Sequence, residues 1–509
     1  MYSNVYSADV SGLEARLICI EADVNQGLPV FDMVGFLASA VKEARERVRI
    51  AIRNMGVQFP AKRITINLSP ANLRKEGTSF DLAIAISLLT AFGYLSNDCT
   101  KDMMIVGELG LDGSIHAIRG VLAMIMEGRQ KGIRQFIVPE SNVKESVMLE
   151  GVSVYGVKTL EQTMKFLRGE IVLQPYVDSP EEQRHETMSY DDFADIIGQE
   201  AAKRAAEIAI SGKHNLLMIG PPGSGKTMLA RRLPGIMPEL TREESLEITR
   251  MYSICGLLPE EGKIMTKRPF RAPHHTVTAT ALTGGGRIPM PGEITLAAKG
   301  VLFLDELPEF AGSSLEVLRQ PLEEHKVTIS RLGRSYEYPS DCVFVAAMNP
   351  CRCGFFPDRN RCRCTIKDLQ RYLGKLSEPL LDRIDLCVET GIPDFQLYGH
   401  GNESSERIRE RVKKTMQIQK ERYKNETFSY NGELPGSLLE KYCLLREKEE
   451  KFLKMIAEKE DYSMRRIARI IKTARTIADV EESERIEEEH LAEALRFRSV
   501  DRKYWGVAL

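Results

Sequence analysis

Eight consecutive residues, Gly220, Pro221, Pro222, Gly223, Ser224, Gly225, Lys226 and Thr227, fit the pattern G-x-x-x-x-G-K-[ST] without exception. Glycines let a backbone wrap closely around a polyphosphate, so that successive N–H groups and the N-terminus of the next helix face the anion. Lys226 supplies a point charge for the β and γ phosphates, and the Thr227 hydroxyl is a ligand for Mg²⁺. A second run, Val301 to Leu304, is apolar throughout and ends in Asp305 and Glu306. Acids at that place suit two tasks: Asp305 holds the Mg²⁺ through its water shell, and Glu306 orients and polarises an attacking water. A third run ends in Asn349. Its amide is placed either to sense the γ phosphate or to cap the turn before Pro350.

Four cysteines form two C-x-C pairs, Cys351 with Cys353 and Cys362 with Cys364. Four thiolates suit a closed tetrahedral Zn²⁺ site, structural because no ligand position stays open. The same stretch is basic: Arg352, Arg359, Arg361, Arg363, Lys367, Arg371 and Lys375 stand against Asp358 and Asp368. A metal-stiffened positive loop suits a nucleic-acid backbone, although a merely solvated loop has the same composition. Another basic run, Lys267 to Thr276, contains the adjacent His274 and His275. On a strand these two would point to opposite faces and could not easily share a metal.

The elements that must position these groups are legible in outline. Strand-like runs at 215–220, 301–306 and 342–349 alternate with helical ones, and each ends where the polar chemistry begins. That is the layout of an α/β parallel sheet carrying its site at the strand C-termini. Residues 191–390 are therefore expected to form this core. Before it lie a mixed α/β region, 1–172, and a charged linker with two prolines, 173–190. In the first region Ile64, Ile66 and Leu68 alternate as in a half-buried strand, whereas Val41, Ala44, Val48, Ala51 and Ile52 recur at helical spacing. Residues 391–509 are charged, rich in helical pattern and poor in strands, as in a small helical bundle.

Composition narrows the class. The chain has 509 residues, 43% hydrophobic and 28% charged, which excludes a mainly disordered polymer. With 70 basic against 72 acidic residues it is not a wholesale polycation, but a local basic groove remains open. The start, MYSNVYSADV, lacks the charged and apolar regions of a signal peptide. The longest uncharged apolar stretch, Leu82 to Leu95, is too short to span a bilayer and reads as a buried helix. Ten cysteines are too few for a disulfide scaffold, so a reducing compartment, the cytoplasm, is expected, with no membrane partner.

Taken together, the runs at 220–227, 270–276 (FRAPHHT), 292–310 (GEITLAAKGVLFLDELPEF), the cysteine loop, 380–386 (LLDRIDL) and 474–479 (ARTIAD) resemble the magnesium-chelatase-like AAA+ ATPases of the ComM/YifB family. The resemblance implies an AAA+ P-loop core with a helical lid. It makes Asn349 sensor 1, and Arg383 an arginine finger acting on the neighbouring subunit's nucleotide. Read from the residues alone, Arg383 could equally form a surface salt bridge with Asp382 or Asp385. Arg465 becomes sensor 2, with Arg466 its immediate neighbour. Asp195, Ile197, Gly198 and Gln199 resemble the segment beside the adenine pocket. The implied cofactors are ATP and Mg²⁺, and a finger supplied in trans implies a homo-hexamer. The implied activity is a DNA helicase promoting branch migration of recombination intermediates, including those of natural transformation, with single-stranded or branched DNA as partner. A chelatase-type motor for metal insertion and an ATP-dependent protease are the alternatives.

The protease alternative comes from residues 1–172, which resemble the Lon-protease fold. Lys75 to Ser79 falls at that family's nucleophile segment, and Glu108 to Leu122 at its lysine segment. A serine nucleophile needs a base to take its proton. The position matching the Lon lysine is Leu122, so the expectation is a non-proteolytic domain.

Overall fold

The computed structural model describes residues 1–146, 149–177, 190–259, 264–286, 289–331, 334–391 and 402–505. Most of the linker anticipated at 173–190 lies outside them. The chain divides into two compact units, Met1–Glu186 with Thr241–Thr266, and Thr187–Leu240 with Lys267–Leu509.

Among its described residues the first unit carries a seven-stranded sheet. Its strands are β1 (Tyr2–Ser11), β2 (Glu14–Asn25), β3 (Val30–Val34), β4 (Arg63–Ser69), β5 (Met103–Ile105), β6 (Gln135–Pro139) and β7 (Ser153–Val157), in the order β7-β6-β5-β1-β2-β4-β3. Ile64, Ile66 and Leu68 of β4 are buried in alternation, as their spacing predicts. Helix α1 (Ser39–Asn54) buries Val41, Ala44, Val48, Ala51 and Ile52 on one face. Helix α2 (Asp81–Ala91) is buried on every side, which explains its lack of any polar face. Helices α3 (Val121–Gln130) and α4 (Leu160–Leu167) complete the layer arrangement. Thr241–Thr266, expected within the 191–390 core, belongs to this unit instead. Its helix Arg242–Cys255 starts at a reciprocal Thr241/Glu244 capping box. Ser253 of that helix donates to Glu145 inside the unit, and burial raises the pKa of the Glu145 carboxyl.

In the second unit, helix α5 (Glu200–Gly212) leads into β8 (Leu216–Ile219), and α6 (Lys226–Ile236) follows the glycine-rich turn. Strands β9 (Phe270–Arg271) and β10 (Val301–Leu304) come next, then a hairpin of β11 (Lys326–Arg331) and β12 (Arg334–Pro339), then β13 (Val343–Met348). Helix α7 (Ile366–Leu373) and strand β14 (Leu386–Glu389) precede the helical region. Five strands form one parallel sheet in the order β9-β10-β13-β8-β14. Residues of β8, β10 and β13 are buried without exception, because a central parallel strand is covered on both faces. The helices α8 (Ser405–Arg422), α9 (Glu447–Glu460), α10 (Met464–Val480) and α11 (Glu488–Trp505) follow the sheet and pack into its hydrophobic cluster. Ile408, Val412, Ile470, Ile477 and Phe497 share a single hydrophobic cluster with Leu216, Val301 and Val345 of the sheet. No described helix is long and apolar enough to cross a membrane.

Candidate nucleotide site

The sheet order explains the site. Strand β13 lies between β8 and β10, so the residues that follow these three strands converge at one edge. The turn after β8 is forced by close approach: a Cβ on Gly220 would fall 2.0 Å from Thr390 Oγ1. Gly223 and Gly225 have φ of +79° and +84°, which side chains rarely adopt. Ser224 Oγ is 2.8 Å from Thr390 Oγ1, and Gln199 Nε2 donates to Ser224 O at 3.1 Å.

Lys226 is buried, and its ammonium donates to Gly220 O at 2.8 Å, Pro221 O at 2.9 Å and Asn349 Oδ1 at 3.3 Å. Burial lowers its pKa, and the nearby Asp305 carboxylate opposes that shift. Thr227 Oγ1 donates to Asp305 Oδ2 at 2.6 Å, and Asp305 Oδ1 accepts from the Glu306 amide at 2.9 Å. Lys226, Thr227, Asp305, Glu306 and Asn349 thus form one contact network. The oxygens of Thr227 and Asp305 suit Mg²⁺, a hard cation. Glu306 has φ +53°, a strained value for a residue with a side chain, and its carboxylate is 58% exposed.

Of Ile197, Gly198 and Gln199, just before α5, Gln199 is the one bonded to this loop, and the last two have φ of +63° and +62°. Asp195 is tied to α6 through Arg232 at 3.2 Å. Of the two arginines expected to serve the nucleotide, Arg383 makes its contacts away from the phosphate loop of its own chain. Arg383 pairs with Glu323, not with Asp382 or Asp385. Those aspartates pair instead with Arg466 at 3.6 Å and Arg469 at 2.5 Å of helix α10. Arg465, in the first turn of α10, is exposed.

His275 is a site residue that the spacing did not reveal. Its Nδ1 lies 3.8 Å from Glu306 Oε2. The rings of His274 and His275 lie side by side at 4.0 Å, because the chain turns after β9 and does not continue as a strand. The only available signal was a conspicuous His-His pair, which does not name a partner 31 positions later.

The four cysteine sulfurs lie within 4.8 Å of one another. Cys351 is 3.3 Å from Cys353 and 3.8 Å from Cys362, against about 3.8 Å between sulfurs around a tetrahedral Zn²⁺. Burial raises the Cys353 pKa, but amide hydrogen bonds from Phe355 and Arg363 and the neighbouring thiols outweigh it and leave it at about 6. Four thiols gathered this closely are compatible with structural zinc. All seven basic residues of the loop are exposed, and Arg361 stacks on Phe355 at 4.1 Å. The loop rests on the phosphate loop: a Cβ on Gly354 would fall 2.5 Å from Pro222 Cδ.

In the first unit Ser79 is buried and donates to Ala8 O at 3.3 Å. Lys75 is fully buried, and its ammonium is bound by Pro70 O. Leu122 is fully buried in α3.

A parallel β14-β8-β13-β10-β9 sheet, a glycine-rich phosphate loop and paired acids after β10, continued by a helical region, define an AAA+ P-loop protein. Profiles of the families described as "Magnesium chelatase, subunit ChlI", "Subunit ChlI of Mg-chelatase" and "Magnesium chelatase, subunit ChlI C-terminal" match residues 192–396, 20–142 and 402–498. The chain is 42% identical to competence protein ComM of Haemophilus influenzae over 505 residues, covering 98% of this chain and 97% of the relative. It is 40% identical to YifB of Escherichia coli over 503 residues, with the same coverage. Lon protease 2 of Bacillus subtilis is 29% identical over 147 residues, covering 29% of this chain and 25% of the relative. The chain belongs to the ComM/YifB family of magnesium-chelatase-like AAA+ proteins, with a Lon-like N-terminal region. Membership implies ATP and Mg²⁺ as ligands.

Proposed function

We propose that the chain is an ATP-hydrolysing DNA motor that works as a homo-hexamer and remodels single-stranded or branched DNA, as in branch migration during recombination and transformation. Residues Gly220 to Thr227 cradle the triphosphate, with Ile197 and Gly198 beside the adenine. Thr227 and Asp305 would hold Mg²⁺, whose charge would offset that of the phosphates. Lys226 leaves its carbonyl partners for the phosphates. Glu306 orients the attacking water and draws its proton, and Asn349 registers the γ phosphate. Arg465 contributes from the helical lid, and Arg383 reaches the nucleotide of the next subunit. The Lon-like region acts as a non-proteolytic scaffold, a reading supported by the buried Leu122 and the Ser79–Ala8 hydrogen bond.

The observation that supports a DNA motor best is the seating of an exposed basic loop directly against the phosphate loop through Gly354 and Pro222. A change at the nucleotide is felt at once by a surface suited to a phosphate backbone. The test is a four-way-junction migration assay with ATP, alongside ATP turnover with and without forked DNA. DNA is expected to stimulate turnover several-fold, and the Arg359→Ala, Arg361→Ala, Arg363→Ala triple variant to lose that stimulation. Absence of both stimulation and junction migration would refute the reading.

The cysteine loop holds structural Zn²⁺ in this proposal. Metal analysis of the purified protein is expected to give close to one zinc per chain, and Cys353→Ser with Cys362→Ser to abolish it. Zinc-free wild-type protein prepared in zinc-supplemented medium would refute the assignment.

A further inference from the structure

Arg383 spends its donors inside its own chain. Its Nε donates to Arg319 O at 2.8 Å, its Nη1 to Pro379 O at 2.7 Å and its Nη2 to the Glu323 carboxylate. The side chain is only 11% exposed, whereas Glu323 is 48% exposed. Two other acids line the same cavity of about 480 Å³ and accept their hydrogen bonds from other groups, although the charge of Arg383 also reaches Glu316. Glu316 accepts from Arg319 and Ser377, each at 2.6 Å, and Glu324 from Gln320 at 2.9 Å. Of the three, Glu323 is the carboxylate that Arg383 hydrogen-bonds.

The main chain around Arg383 is fixed independently. Its carbonyl accepts from Asn215 Nδ2 at 2.8 Å, and Asp382 and Asp385 on either side are paired to α10. The tip of the side chain can therefore change partner while its root stays in place. A guanidinium edge that donates to a carboxylate cannot donate equally to a phosphate, since both ask for the same N–H groups.

We propose that Glu323 is a latch on Arg383. In the separate chain it neutralises and retains the guanidinium. At a formed subunit interface the neighbour's nucleotide phosphate, carrying more charge, takes its place. Glu323 is a positioning residue that acts only through Arg383, and this inference rests on the trans role of Arg383 proposed above. It adds that arming the finger competes with an internal ion pair, so subunit assembly and release of the latch are one equilibrium. Glu323 stands three residues before the β11–β12 hairpin, so its release is also felt at the base of that hairpin.

The test is Glu323→Gln, which keeps size and removes charge, in the full-length chain. ATP turnover per chain is measured across protein concentration, with sedimentation velocity in ATP on a Glu306→Gln background as the assembly readout. The protein concentration for half-maximal assembly and activity is expected to fall by roughly 2- to 5-fold, the range a half-exposed ion pair supports. Plateau turnover and the KM for ATP stay at the wild-type level, and Glu323→Asp, which keeps the carboxylate, restores the wild-type midpoint. An unchanged or raised midpoint, or a plateau as low as that of Arg383→Ala, would overturn the latch. Full turnover by Arg383→Ala would instead refute the trans role itself, so the two failures are distinguishable.

Discussion

Glu306→Gln is expected to bind ATP as the wild type does and to lose about 10²- to 10⁴-fold in turnover, the contribution typical of a positioned general base. The amide keeps the shape of the side chain but cannot take a proton from water. Binding survives because the phosphate cradle is built by other groups: Lys226 on Gly220 O, Pro221 O and Asn349, and Thr227 on Asp305. The Glu306 amide itself, bonded to Asp305 Oδ1 at 2.9 Å, is unaffected. Equilibrium binding of a fluorescent ATP analogue, set beside phosphate release, separates the two effects. Turnover within tenfold of wild type would remove Glu306 from the reaction.

Arg383→Ala is expected to lower turnover by about 10³-fold or more, the scale on which an arginine finger stabilises phosphoryl transfer. Affinity for ATP in the separate chain should be unchanged, since Arg383 is engaged there by Glu323, Arg319 and Pro379 and not by the phosphate loop. A stability assay must accompany the measurement, because the alanine also strips Glu323 of its partner. Thermal unfolding close to that of the wild type with turnover lost assigns the effect to chemistry.

The parts of this arrangement that were legible in sequence are those written locally. The phosphate loop announces itself through glycine and lysine at fixed spacing, and β10 through four apolar residues before two acids. Helix α2 is readable because no charged residue follows Asp81 in it and its few hydroxyls are small enough to bury. The two cysteine pairs, too, are spaced so that they can gather, and their four sulfurs do lie within 4.8 Å of one another. Tertiary choices were not legible. Thr241–Thr266 has an ordinary amphipathic helix, and nothing in its pattern says that it packs in the first unit. The helices after residue 391 were legible as a helical region, but periodicity marks an apolar face without naming the sheet residues it joins. The His275–Glu306 and Glu323–Arg383 pairs join chain segments with no shared periodicity. Charged residues near Arg383 are plentiful, and its sequence neighbours Asp382 and Asp385 are the obvious partners. Helix α10 claims both, which leaves Glu323.

In the proposed motor each working pocket joins two copies of the chain, with Lys226 and Glu306 from one and Arg383 from the next. Mixing two inactive proteins, Lys226→Ala and Arg383→Ala, tests it directly. In a randomly mixed head-to-tail ring about one quarter of the interfaces pair an intact phosphate loop with an intact finger. ATP turnover is expected to reappear on mixing and to rise toward that fraction of the wild-type rate. A mixture no more active than the sum of its two components, under conditions where both proteins assemble, would contradict it.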